Sequence, residues 1–466
     1  MRPSLKIPAL RIAVVLALLA PVGAAVARPP KVAQHPGRNG KLTENQLQMA
    51  KIAWKYFENN FQADTCLVNA VDNYPSTTMW DAGSSLGALI SAFELGVVDE
   101  DTFHSRVRCT LITLGKLDLY KGELPNKAYD TRTGAMVNYA NEPGEIGYSA
   151  LDIGRLLIWL RILQERQPHY IPAVNAIVAR WNFCNLLDKC GTLYGAVPEG
   201  AGTVYLQEGR LGYEEYAAKG FQLWGFDTKE ASRLEPMELD RIHGIDIPFD
   251  SRDPRLLGAH NYVVTESYAL DGIELNWDNA GDRSLDDMRH SDKTAADFAG
   301  RVYDVQEARH AATGILTART EHQLDAAPWF VYDTVYSDGY RWNTITDDGR
   351  YLPASAAVST KAAFSLWALW DTPYTQLLYT AMVGKFDPER GYYEGVYEHS
   401  GVEIKTFTAN SNGIILETLL YKVQGKLLRF GPGALPSWAS TEGDVARSSC
   451  QLPSHQRSPC GAAPSR

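Results

Sequence analysis

Apolar residues in this chain recur at the helical period far more often than they alternate. From Leu42 to Asn60 the positions Leu47, Ala50, Ile52, Ala53, Tyr56 and Phe57 fall along one helix face. A second stretch, Ser84–Leu95, stops at Gly96, a residue that readily ends a helix. The same pattern predicts helices at Glu100–Leu117, Tyr148–Leu163, Tyr170–Leu187, Tyr213–Gly225, Glu266–Trp277, Ala295–Ala312, Ser355–Trp370, Tyr374–Val383 and Thr408–Lys422. With weaker stretches that makes about a dozen. The intervening segments Lys127–Glu145, Leu193–Leu211 and Lys385–Glu403 are rich in Gly, Asp and Tyr. No short repeat stands out. Such a count exceeds a simple bundle and fits an all-α fold, a closed ring of six inner and six outer helices. Its long loops would gather at one face and form a cleft.

The ends read differently. Arg2, Lys6 and Arg11 precede the apolar run Ile12–Ala20, and Ala25-Val26-Ala27 is a small-x-small site. This is the pattern of a secretory leader cleaved after Ala27, and the run is too short for a stable membrane anchor. Residues 28–40 read as a linker, 41–428 as the folded domain, and 429–466 as a Pro-, Ser- and Gly-rich tail. The expected location is the periplasm or the medium. Six cysteines suit that compartment. Proximity pairs Cys184 with Cys190 and Cys450 with Cys460, leaving Cys66 with Cys109, although six cysteines allow 15 connectivities. A metal site is the weaker reading, because no CxxC occurs and no His sits at ligand spacing. Neither metal nor cofactor is expected.

Composition narrows the partners. The 466 residues carry 45 Lys and Arg against 55 Asp and Glu, a net charge of -10, which disfavours nucleic acid and anionic membrane surfaces. Eleven Trp and 24 Tyr are more than a core of this size needs. Aromatic rings with polar tips suit carbohydrate, because sugar C–H faces stack on rings while hydroxyls find donors and acceptors.

No GxSxG, HExxH, GxGxxG or Walker sequence can be read with confidence. Acids beside aromatics and glycines recur instead: Trp80-Asp81, Asp152, Tyr213-Glu214-Glu215-Tyr216, Glu266, Asp271, Glu274, Tyr332-Asp333 with Trp342, and Tyr392-Tyr393-Glu394. Glycosidic cleavage needs two carboxyl groups, one protonating the leaving oxygen and one activating water or attacking carbon. Asp99, Glu100 and Asp101 read as helix-start charges. Glu214 and Glu215 also suit a first turn, but neighbours on a helix point about 100° apart, so one of them can face the ring interior. Glu394 lies between Gly391 and Gly395 with Tyr392, Tyr393 and Tyr397 beside it, the composition of a functional loop. Asp152, an acid in an apolar helix, needs a partner, and a salt bridge or a sugar hydroxyl serves equally.

The ordered series of these segments resembles the bacterial glycoamylase-like proteins, which include the endo-β-1,2-glucanases of glycoside hydrolase family 144. More closely it resembles bacterial envelope proteins long catalogued as a domain of unknown function. The matching pieces run from Trp54-Lys55-Tyr56-Phe57 to Glu417 and include Trp80-Asp81-Ala82-Gly83, Tyr148–Asp152, Pro353–Phe364 and Asn410–Glu417. Gly212-Tyr213-Glu214-Glu215 is similar to a Gly-Tyr-Asn-Glu motif whose Glu is the general acid, and the resemblance puts that role on Glu215. Tyr393-Glu394 is similar to a Tyr-Asp step and implies the base at Glu394. Glu214 and Glu394 stand where the pattern has Asn and Asp. The resemblance implies an (α/α)6 barrel and inverting attack by water, with no metal.

The expected activity is an exported glycoside hydrolase cutting a β-glucan internally, β-1,2-glucan first. Trp80, Asp81, Asp152, Tyr213, Glu214, Trp342, Tyr393 and Asn410 are the candidate substrate-binding residues. A non-catalytic glucan-binding or polysaccharide-assembly protein is the second reading. A lyase or phosphorylase on the same scaffold is a remoter one.

Overall fold

Helices begin here where a side-chain oxygen can take the first unpaired backbone N–H groups. Thr43 and Gln46 form a capping box at the start of α1 (Glu44–Asn59). The Thr78 hydroxyl accepts from Asp81 N and opens α2 (Met79–Glu94). Asp99 opens α3 (Glu100–Leu114), as expected of that acidic run, and Ser149 opens α4 (Ala150–Arg166). Then come α5 (Ile171–Val178), α6 (Tyr213–Gln222), α7 (Thr265–Leu275), α8 (Lys293–Thr313), α9 (Thr360–Leu369), α10 (Pro373–Met382) and α11 (Ala409–Gln424). Each side-chain cap contributes about 1 kcal/mol. The computed structural model describes residues 36–188, 190–234, 236–252 and 261–429. The leader, the tail, Cys450 and Cys460 lie outside them.

Three helix limits depart clearly from the periodicity. The helix expected from Ser355 begins at Thr360, because Ala357–Ser359 pair as a strand with Gly395–Tyr397. α2 starts before Ser84 because the Thr78 cap draws Trp80 and Asp81 into its first turn. The helix expected over Tyr170–Leu187 stops at Val178. There Asn182 turns its side chain to Cys184 N and gives its own N–H to Glu123 O, which competes with helix continuation.

Helices α2, α4, α6, α7, α9 and α11 pack each on the next, and α11 returns to α2. Their buried faces belong to one continuous apolar core. Close approach is set by glycine. A Cβ at Gly154 would meet Ala217 at 2.8 Å, and one at Gly87 would meet the Trp159 ring at 2.6 Å and Glu417 Oε1 at 2.8 Å. Outside them, α1 packs on α11 and α2, α3 on α2, α5 on α4, α8 on α7 and α10 on α9. Between α6 and α7 the described residues hold a strand hairpin, Met237–Ile242 with Ile245–Asp250, rather than a helix. His243 and Gly244, both at positive φ, form its two-residue turn.

The fold is therefore helix-rich but not all-α. Loops expected to be irregular contain short antiparallel sheets, among them Tyr194–Glu199 with Gly202–Gln207, and the strand Phe330–Asp333. Runs of two to six residues are too short for alternation to register against the helical background. Cys66 and Cys109 form a disulfide with Cα atoms 5.7 Å apart, tying the loop after α1 to α3. Cys190 is disulfide-bonded as well. Among the described residues no helix is long and apolar enough to cross a membrane.

Candidate functional site

The first turns of the six ring helices carry Trp80 and Asp81, Asp152, Tyr213, Glu266, Lys361 and Asn410, and these side chains cluster where the helix starts meet, a place termed the pit. Helix N-termini each present roughly half a positive charge, which favours the carboxylates assembled there.

Glu266 is the node. Its Oε1 accepts from Trp80 Nε1 at 3.2 Å and Asn410 Nδ2 at 2.7 Å, and its Oε2 pairs with Lys361 Nζ. Asn410 Oδ1 accepts from the Ser84 hydroxyl at 3.0 Å. Below the node lies Arg155, fully buried under the Trp80 ring at 4.8 Å. Its guanidinium faces Glu417 at 3.1 Å, Glu274 at 3.6 Å and Glu266 at 3.8 Å. With Lys361 on Glu266, two cations serve these three acids. Burial pushes Glu274 up to about 7 and Glu417 up to about 8, against the pull of Arg155. Tyr216 and Trp159 donate to Glu274.

Beside the node some carboxylates reach water. Asp81, Asp152 and Glu208 each keep part of their surface exposed. Protein walls nonetheless strip most of the water from Asp152, and with the charge of Glu208 this pushes its carboxyl up to about 7. Ser149 donates to Asp152 at 3.1 Å. Burial raises Asp81 and Glu208 too, the latter despite Lys127 and the hydrogen bond from Ala150 N at the start of α4. Tyr139, 66% exposed, feels the charges of Asp152 and Glu208.

Glu321 and Glu394 flank Lys361, which feels both charges. Tyr213 and Thr320 hydroxyls donate to Glu321. Glu394, 2% exposed, accepts from the Thr408 and Ser411 hydroxyls at 2.9 and 2.8 Å and from Gln323 N at 3.3 Å.

Other expected site residues sit elsewhere. On α6 the inward positions go to Tyr213 and Tyr216, so Glu214 and Glu215 turn away from the ring axis. Glu214 is held by Arg252 at 2.9 Å and Gln207 at 2.8 Å. Glu215 accepts from Gly212 N at 2.6 Å, capping its own helix beside Tyr268, and burial and Glu214 hold its carboxyl well above the usual range. Gly212 sits at φ +100°, and a Cβ there would meet Ser267 Oγ at 2.8 Å. Trp342, expected to touch substrate, lies across the guanidiniums of Arg309 and Arg319 at 4.6 and 5.7 Å and covers their ion pairs with Glu398 and Asp333. Tyr393 packs its ring on Phe407 at 5.3 Å.

Sequence reasoning passed over Glu208, Arg155, Glu321 and Lys361. Lys361 had a signal, since a cation in a first helical turn opposes the dipole and calls for an anionic partner. Glu208 precedes a glycine in a loop, the same pattern that singled out Glu394. Among the described residues no group of His, Cys, Asp and Glu is arranged to hold a metal ion.

Comparison with solved structures gives likenesses of fold. An endo-β-1,2-glucanase from Chitinophaga pinensis, solved with sophorotriose and glucose, superposes with TM-score 0.58 at 12% identity over 88% of this chain and 100% of that one. An endo-β-1,2-glucanase from Talaromyces funiculosus with sophorose gives TM-score 0.54 at 11% identity, covering 82% of this chain and 84% of that one. A candidate glucoamylase from Bacteroides uniformis gives 0.57 at 11% identity, covering 89% and 100%. No curated protein matches the sequence. The family described as protein of unknown function (DUF3131) matches residues 48–425, and the chain belongs to it.

Proposed function

We propose that this protein is an exported glycoside hydrolase with an (α/α)6 ring, cutting a β-glucan internally, β-1,2-linked glucan first, with inversion. The observation that carries the reading is the pit. Water-accessible acids stand among tryptophan and tyrosine where six helix N-termini meet, and one of them, Asp152, holds its proton up to about pH 7. A carboxyl protonated near neutrality is what a leaving glycosidic oxygen requires.

Of the two acids named by family resemblance, Glu394 stays in the reading as the base on that resemblance alone; its carboxylate, near Lys361, is 2% exposed and already accepts three hydrogen bonds. The proton donor is assigned to Asp152, raised by burial and by Glu208, in preference to Glu215. The Glu215 carboxyl is engaged by its own helix start. Asp81, Trp80, Tyr213 and Asn410 line the path of the sugar. The chain's acidity and the pit's carboxylates favour a neutral polysaccharide over a phosphorylated one. The glucan-bound relatives of this fold support the β-1,2 linkage as the first to try.

The test is incubation with β-1,2-, β-1,3-, β-1,4- and β-1,6-glucans, following reducing ends, product size and the anomer first released. Short oligosaccharides from one linkage support the reading. Binding without product would select the non-catalytic glucan-binding alternative, and neither binding nor product would exclude both. Asp152→Asn should lower turnover by about 10²–10⁴-fold, the usual scale of general acid catalysis. Glu215→Gln should alter stability more than rate, and the reverse result would return the acid to Glu215.

A further inference from the structure

From the pit a continuous run of rings leads to the surface. Trp80 meets Tyr213 edge-on at 5.6 Å, and Tyr213 meets Tyr262 at 6.1 Å. Tyr262 stacks on Tyr332 at 4.3 Å with planes 16° apart, and Tyr332 meets Phe330 edge-on at 5.3 Å. Strand alternation explains the last step. Val331 and Asp333 point into the core, both fully buried, so Phe330 and Tyr332 share the outer face. Phe330 is 37% exposed and Trp329, the next residue back, 57%. Trp329 sits at φ +73°, a conformation that costs a bulky residue about 1–3 kcal/mol and that folds retain chiefly at functional positions. Nothing in the apolar core calls for these two rings to face water.

We infer that Tyr262, Tyr332, Phe330 and Trp329 form an aromatic track that binds glucosyl units lying beyond those at the scissile bond. It leads the polysaccharide out of the pit along the strand Phe330–Asp333. The stack holds the two tyrosines rigid, which keeps the ordering cost of binding low. Acids border the inner end of the track: Glu321 acts on the Tyr332 phenol, and Glu208 and Asp152 on that of Tyr262. Rings interleaved with acceptors suit a neutral sugar chain, whereas a protein partner would need continuous apolar surface. The glucan identity rests on the hydrolase reading; the track itself does not need turnover. Its consequence is a preference for long chains, which is what internal cutting requires.

The test uses the full chain with Trp329→Ala, Phe330→Ala and the double variant, each checked by thermal melting. Binding of β-1,2-glucan polymer and of sophorotriose is measured in an Asp152→Asn background, and kcat/KM for both is measured without it. Each single change should weaken polymer binding by about three- to tenfold, the scale of one aromatic contact. The polymer-to-sophorotriose ratio of kcat/KM should fall by a similar factor. Equal losses on both substrates, or none on either, would overturn the track. Polymer binding that weakens in the variants of a protein with no activity on any glucan would sink the hydrolase reading and leave the track standing. Failure of the wild type to bind any glucan polymer would sink the track.

Discussion

Asp152 carries its proton at pH values where an exposed aspartate has lost it. The first cause is burial in the pit, and the second is the neighbouring charge of Glu208. Two outcomes follow at this scale. As a proton donor it should make kcat/KM fall as pH rises through about 7. Glu208→Gln removes a like charge and should move that fall to lower pH; an unmoved limb in the pH–rate profile would place the donor elsewhere. The same group affects stability. Its folded pKa lies above its unfolded one, so its contribution is fully present below the unfolded value, about 4, and is lost as pH rises to about 7. Asp152→Asn should therefore gain stability relative to wild type at pH 8 compared with pH 4, read by denaturant melts. At this scale the acid–aromatic pattern made Trp80, Asp81, Asp152 and Tyr213 candidates, and the family resemblance added Asn410. Direction around α6 was not legible, because two adjacent acids in a first turn look alike until packing fixes the helix rotation.

At the scale of elements, the ring depends on how closely its helices approach. α2 can lie against α4 and α11 only because residue 87 has no side chain; Trp159 and Glu417 fill that space. Gly87→Ala should lose about 1–3 kcal/mol by overpacking, despite the better helix propensity of Ala, measured by urea unfolding. A gain in stability would mean that Trp159 moves aside freely. Helix existence was plain in the sequence, since long apolar stripes repeat many times. Helix starts needed the caps: Thr78 decides that Trp80 and Asp81 belong to α2 and so reach the pit. The short sheets were hidden, because two or three residues of strand carry too little pattern.

Across the whole molecule, the ring axis is held by an unusual polar column. Arg155 serves Glu266, Glu274 and Glu417 without access to water. Arg155→Met should cost about 3–5 kcal/mol, because buried Glu274 and Glu417 lose the cation facing them, while Glu266 keeps Lys361. The loss should shrink at acidic pH, where the acids hold protons; a pH-independent loss would point to packing instead. At the periphery, the Cys66–Cys109 bridge closes a loop of 43 residues. Cys109→Ser should lower stability by about 2–4 kcal/mol, with a matching drop in the melting temperature of the oxidised protein. If the melting temperature is unchanged by this substitution, the loop is held by its other contacts.

Helical periodicity, capping residues and composition already determined a helix-rich chain with acidic charge, surplus aromatics and acids at helix starts, because each of these is a local property of neighbouring residues. Which acids meet was decided only in three dimensions. Glu208 and Asp152 are far apart in the chain, and Glu208 raises Asp152 only when the loop after Gln207 folds over the start of α4. Lys361, Glu266 and Trp80 come from three helices and become one cluster only when the ring closes. Desolvation, which lifts the pKa of an ordinary aspartate, is set by the walls around a group and not by its neighbours in sequence.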